Sequence, residues 1–257
     1  MRPNRLYNVV RGGGAAIGGW VAFSDPASAE VMARSGFDFL MVDGEHCPLT
    51  IQHIHSILLA IQQTDVGAVV RPLGKHPDFI KQVLDLGADG VMVPQVNTVA
   101  EAQTAVQAAK YHPLGNRAFG PVRVGGYWTE PDYLKTANDY HILILQIETP
   151  EGLKNMPEIL KVQGVDAVFF GHGDYSQASG HLGELDHPEV LAAEDQFYAL
   201  AREAGMPAGT IARNPESFGR CLEKGARLAV LRADISYVFA GAKQDVADSR
   251  KILEQRR

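Results

Sequence analysis

The sequence predicts an α/β fold, a (β/α)₈ TIM barrel, and three observations carry the prediction. Eight short apolar runs of strand length recur along the chain, rich in β-branched or aromatic residues, and helix-period segments lie between them. Unusual polar residues fall repeatedly just after those runs, where this fold builds its active sites. No Pro/Ser-rich linker divides the chain, so residues 1–257 read as one domain.

Taken in order, Met1 to Gly14 is polar and glycine-rich and reads as a loose arm. Ala15 to Phe23 is the first strand, and Pro26 to Arg34 its helix, with Ala29, Val31 and Met32 inward. Phe37 to Val42 is the second strand, followed by a helix over Ile51 to Ile61 whose Ile51, Ile54, Leu58 and Ile61 form one stripe. Val66 to Val70 with Pro77 to Leu86, and Gly90 to Pro94 with Val99 to Lys110, make the third and fourth units. Tyr111 to Asp139 breaks the rhythm with four glycines and three prolines, and loops of such length are uncommon unless functional. The fifth and sixth strands are Ile142 to Ile147 and Val165 to Phe170, joined through a helix over Glu151 to Lys161. Pro207 to Ala212 and Leu228 to Leu231 complete the set, with helices over Pro215 to Lys224 and Ile235 to Leu253.

Composition narrows the function classes. A formal charge of −6 without a dense Lys/Arg block disfavours a nucleic-acid partner. No apolar run reaches the roughly 18 residues needed to span a bilayer, and the start lacks the build of a signal peptide, so a cytoplasmic location without membrane attachment is expected. Two cysteines, Cys47 and Cys221, form neither a disulfide framework nor a paired metal motif. The Gly-rich stretch after Arg11 precedes a strand rather than following one, so it fails the dinucleotide fingerprint. Gly74-Lys75 lacks the upstream glycine of a P-loop.

The chemistry concentrates after the strands: Asp43, Glu45 and His46 after the second, Arg71 after the third, Gln95 after the fourth, Gln146 and Glu148 on the fifth, Asp174 after the sixth. A βαβ unit is parallel, so Glu148 and Asp174 meet at one sheet edge and can seat a hard divalent cation. Alternatively each merely caps the helix that follows. His46, in a Gly- and Pro-flanked turn, suits proton transfer, or else bonds a backbone carbonyl. Arg71 either pairs with carboxylates of its own barrel mouth or holds an anionic substrate bidentately. Gly171-His-Gly-Asp174 enters a short helical turn whose amides could take a substrate carboxylate; its glycines could equally serve only to shape the turn.

These residues resemble the HpcH/HpaI aldolase family of metal-dependent class II pyruvate aldolases over nearly the whole chain. The motifs are Gly19-Trp20, Val42-Asp-Gly-Glu-His46, Val70-Arg71-Pro, Leu84-Asp85-Leu-Gly-Ala, Gln146-Ile-Glu148-Thr and Gly164-Val-Asp through Asp174. The resemblance implies that Glu148 and Asp174 hold Mg²⁺, Mn²⁺ or Co²⁺, that His46 is the base, and that Arg71 stabilises developing charge. Trp20, Gln146, Gly173 and Asp174 would contact the oxo acid. The resemblance assigns Asp85 the tuning of His46, although Asp85 ends a helix, at the face opposite the site; Asp43 is the nearer local candidate. It also implies a homo-hexamer in which the last helix is exchanged with a neighbouring subunit.

The activity expected is reversible aldol cleavage of a 4-hydroxy-2-oxo acid to pyruvate plus an aldehyde. The alternatives are a lyase or decarboxylase of dicarboxylic oxo acids on the same site, or a non-catalytic barrel that binds an oxo acid. Where the family usually has Gly-Pro-x-Asp, this chain has Gly171-His172-Gly173-Asp174. His172 is therefore expected at the donor's C3 substituent, with hydroxypyruvate as an accepted donor, unless it turns outward and serves structure alone.

Overall fold

The computed structural model describes residues 4–256. Eight parallel strands close in sequence order into a barrel: β1 (Ala16–Val21), β2 (Phe39–Asp43), β3 (Gly67–Arg71), β4 (Gly90–Val93), β5 (Ile142–Ile147), β6 (Ala167–Phe170), β7 (Ala208–Ile211) and β8 (Leu228–Ala233). Alternation along each strand sorts side chains into two cores. Phe39 and Met41, Val69, Ile142 and Ile144, and Phe169 fill the barrel interior. Leu40, Val42, Val70, Leu143, Leu145 and Phe170 pack outward against the helices.

Those helices are α2 (Pro26–Arg34), α3 (Ile51–Ile61), α4 (Pro77–Asp85), α5 (Val99–Ala109), α7 (Pro150–Ile159) and α10 (Pro215–Lys224), close to the expected spans. Val31 is a correction: Ala29 and Met32 are buried, but Val31 is 66% exposed, because a nine-residue helix turns only a narrow stripe inward.

Four further helices lie where the sequence shows no strand–helix alternation or only a turn. Residues 5–12 of the expected loose arm form α1 (Arg5–Gly12), capped by the Asn4 side chain, with Leu6 and Val10 closing the bottom of the interior core; Met1 to Pro3 lie outside the described residues. The long fourth connection contains α6 (Tyr133–Tyr140) and a 3₁₀ turn at Gly126–Trp128, and it leaves Phe119, Tyr127 and Trp128 exposed to solvent. After β6 the chain makes α8 (His172–Ala178) and then α9 (Pro188–Glu203). Last comes α11 (Asp234–Gln255), on which only Asp234 is buried. Among the described residues no helix is long and apolar enough to cross a membrane.

Candidate active site

The inward columns of three strands turn polar at the mouth. Phe39 and Met41 lead to Asp43, Val69 to Arg71, and Ile144 to Gln146 and Glu148. Register places Asp43 directly beside Arg71 on the neighbouring strand. The guanidinium donates from Nε and Nη2 to the two Asp43 oxygens at 2.9 and 2.8 Å, and Nη1 lies 3.2 Å from Glu45 Oε2. Its face covers the Trp20 ring, 4.7 Å from the centroid. Asp43 Oδ1 also accepts the backbone N–H groups of Glu45 and His46, which shapes the Asp-Gly-Glu-His turn. Burial raises the Asp43 pKa, but Arg71 and those N–H groups outweigh it and hold the carboxyl below its ordinary range.

Opposite stands Glu148. It does not cap α7, because the Thr149 side chain does so by accepting from Gly152 N–H. Glu148 instead accepts the Gln95 backbone N–H at 2.8 Å and the Gln146 amide at 2.5 Å. Gln95 reaches this position with φ of 51°, an uncommon conformation for a side-chain-bearing residue. Gly171 is required here: a Cβ on it would come 2.3 Å from Glu148 Oε2 and 2.8 Å from Gln146 Nε2. Burial, reinforced by the charges of Asp174 and Glu45 and opposed by the Gln95 N–H, pushes Glu148 up to about 8. Glu45 is raised as well, by burial first, with Asp174 and Asp43 adding to it against Arg71 and His46. Three carboxylates thus crowd one mouth whose buried arginine is already paired, and Gln146 Oε1 is buried without a hydrogen-bond partner. An all-oxygen donor set with uncompensated acid charge fits a hard divalent cation.

The sequence profile of the HpcH/HpaI aldolase/citrate lyase family matches residues 16–239. A 4-hydroxy-2-oxo-heptane-1,7-dioate aldolase of Shigella sonnei is 40% identical over 242 residues, 93% of this chain and 92% of that one. This chain belongs to the HpcH/HpaI aldolase/citrate lyase family. A 2-dehydro-3,6-dideoxy-6-sulfogluconate aldolase of Pseudomonas putida is 39% identical over 231 residues, covering 90% of this chain and 91% of the relative. A family protein of Burkholderia cenocepacia superposes with a TM-score of 0.92 at 30% identity, over 96% of this chain and 99% of that chain.

Within this HpcH/HpaI barrel, most of the expected site residues converge: Trp20, Asp43, Arg71, Gln146, Glu148 and Asp174 share the mouth. His46 stands at its rim, with a side chain 56% exposed. The carboxylate facing its ring is neither Asp43, whose oxygens Arg71 engages, nor Asp85, but Glu45, at 3.7 Å from Nε2. Asp85 ends α4 and pairs with the buried Arg117, at a separate cavity of about 460 Å³ lined by His55, Lys81 and Tyr127. The physical reason is topological, since helices run back to the barrel face opposite the mouth.

For His172 the structure takes the outward of the two expected placements. Its ring meets Phe170 edge-on, with centroids 4.9 Å apart, and contacts Thr210 Oγ1 at 3.2 Å and Glu194 at 3.1 Å. Phe170 belongs to the outward core and Glu194 to α9, so this ring leaves the mouth for the layer between sheet and helices. Gly173, exposed in the first turn of α8, adjoins that layer and Asp174. The residues that sequence reasoning noticed without giving them a role are Glu45 and Gln95. Their signal was position after a strand, and what it lacked was the direction of a backbone N–H and of a carboxylate.

Proposed function

We propose that this chain is a class II aldolase that cleaves a 4-hydroxy-2-oxo acid to pyruvate and an aldehyde, the whole barrel acting as one catalytic unit. One observation carries the reading: an oxygen-only acid cluster of the buried Glu148 with the half-buried Asp174 and Glu45 shares a family-matching barrel mouth with a bidentately held Arg71. A divalent ion of the Mg²⁺, Mn²⁺ or Co²⁺ type on Glu148 and Asp174, when bound, supplies Lewis-acid polarisation of the oxo acid.

The chain's own residues do the rest. Asp43 fixes Arg71 through Nε and Nη2, so that Nη1, shared with Glu45, meets negative charge developing on the C2 oxygen. His46, exposed at the rim and steered by Glu45, takes the 4-hydroxyl proton as the C3–C4 bond breaks and the aldehyde leaves. The enolate of pyruvate is then protonated at C3. Gln146 and the first-turn amides of α8 orient the oxo acid's carboxylate. With His172 turned outward, the ground for a hydroxypyruvate preference is gone and pyruvate is the donor. Asp85 acts on His46 only from a neighbouring subunit. We place the enzyme in the cytoplasm as a homo-oligomer, a hexamer by its resemblance, in which the exposed α11 seats on another copy.

The test is exchange of the pyruvate methyl protons with deuterium oxide, followed by cleavage of 4-hydroxy-2-oxo-heptane-1,7-dioate, each with and without chelator. Both reactions are expected to need the divalent ion. Arg71→Ala should slow both by about 10²-fold or more, whereas His46→Ala should slow cleavage more than exchange. Full activity in thoroughly chelated protein rules the mechanism out, and exchange without cleavage assigns a different acceptor.

A further inference from the structure

Outside the mouth, the connection between α8 and α9 carries a second and chemically different cluster. Two consecutive backbone turns run through it: Glu184 N–H donates to His181 O at 2.8 Å, and His187 N–H donates to Glu184 O at 2.9 Å. Gly183, at φ of 80°, permits the first of these turns. A three-residue period brings side chains at i and i+3 over one another, so His181, Glu184 and His187 share one face. Their donor atoms all lie within 4.8 Å of one another, and the two imidazoles stack with centroids 3.5 Å apart.

Hydrogen bonding sets which nitrogen each ring can offer. His181 Nε2 lies 2.9 Å from Glu189 Oε2, and a carboxylate only accepts, so the proton is on Nε2 and the lone pair is on Nδ1. That is the carboxylate–histidine arrangement that orients metal-ligating imidazoles. His187 Nδ1 accepts the Glu189 N–H at a long 3.3 Å, which likewise leaves the lone pair on Nδ1. We propose that His181, Glu184 and His187 bind a borderline transition-metal ion of the zinc class, with Glu189 orienting His181.

Two imidazoles and one carboxylate suit zinc and its neighbours, whereas the oxygen-only mouth suits magnesium or manganese. Coordination requires the stacked rings, now 19° apart in plane, to swing out of the stack so that each in-plane lone pair meets one ion, at the roughly 3.3 Å donor spacing of a tetrahedral shell. Binding exchanges the weak cap bond at His187 for a coordinate bond. The consequence reaches the mouth through Ser176, two residues after Asp174. Its carbonyl accepts the His181 N–H at 2.7 Å and its hydroxyl accepts the Gly183 N–H at 3.1 Å while donating to Gly173 O at 2.7 Å. The ion would therefore brace a loop that Ser176 already ties to the helix carrying Asp174.

The experiment uses the full chain bearing Glu148→Gln and Asp174→Asn, which removes the oxygen-donor pair, titrated calorimetrically with zinc chloride. One zinc per chain is expected, and adding His181→Ala with His187→Asn should abolish it; asparagine is chosen because it retains an N-cap for α9. Zinc-edge X-ray absorption on the chain that keeps both histidines should read two imidazoles in the shell, a measurement independent of whether the fourfold variant folds. Absence of zinc binding in the twofold variant, retention of one zinc in a folded fourfold variant, or a shell without imidazole would each overturn the assignment.

Discussion

At the scale of single residues, Glu148 sets the pH behaviour. Its folded pKa of about 8 stands above the ordinary 4.5 because it is buried beside Asp174 and Glu45. The metal-free fold thus holds the Glu148 proton more tightly than the unfolded chain does. The resulting stabilisation is complete below about pH 4.5 and is lost as pH rises through 8. Thermal melts of the metal-free wild type should accordingly decline between those values more steeply than melts of Glu148→Gln, and parallel curves would contradict the burial argument. Cation binding needs the carboxylate, so Mn²⁺ affinity should rise with pH up to about 8, with a proton released per ion near neutrality. Calorimetry in two buffers of different ionisation enthalpy measures that proton. Gly171→Ala tests the same carboxylate sterically. Its methyl group would displace Glu148 Oε2, so Mn²⁺ affinity should fall by about tenfold or more while circular dichroism stays unchanged.

At the scale of elements, the barrel strands were legible because a buried parallel strand reads as an unbroken apolar run. The mouth was legible for the same reason: Ile142 to Ile147 breaks its run only at Gln146, with Glu148 following, and Val66 to Val70 ends in Arg71. What escaped was whatever depends on contacts distant in sequence. Residues 5–12 look polar and loose in isolation, yet α1 is held by two residues, Leu6 and Val10, that a short window cannot mark as core. The outward turn of His172 depends on Thr210 and Glu194, which lie 38 and 22 residues further along the chain. The placement of α1 has a measurable weight. Leu6→Ala removes a fully buried side chain under the barrel and should cost about 2–5 kcal/mol in urea unfolding. A loose arm would lose nothing, so an unchanged midpoint would restore the reading of the opening as an unstructured segment.

At the scale of the whole molecule, the barrel leaves one helix without a home. On α11, Ile235, Val238, Phe239, Val246 and Leu253 recur at helical spacing and are all exposed, Phe239 at 66% and Leu253 at 64%. An exposed apolar stripe of this length is the feature on which the proposed assembly rests. Asp234 anchors the start of the helix: its carboxylate accepts the backbone N–H groups of Ala22 and Phe23 and the Ser28 hydroxyl. The helix thus leaves the barrel in a fixed direction from the mouth end of β8, while its apolar stripe stays open for another copy. A chain ending at Ile235 keeps the anchor and loses the stripe from Val238 onward. Light scattering should find the full chain as an oligomer and the shortened chain at lower order; on the proposed roles of Glu148 and Asp174 as ligands of one chain, and of Asp85 acting from a neighbour, aldol cleavage should fall further than Mn²⁺ affinity. A shortened chain of unchanged mass and full cleavage rate would show that α11 serves neither assembly nor the site.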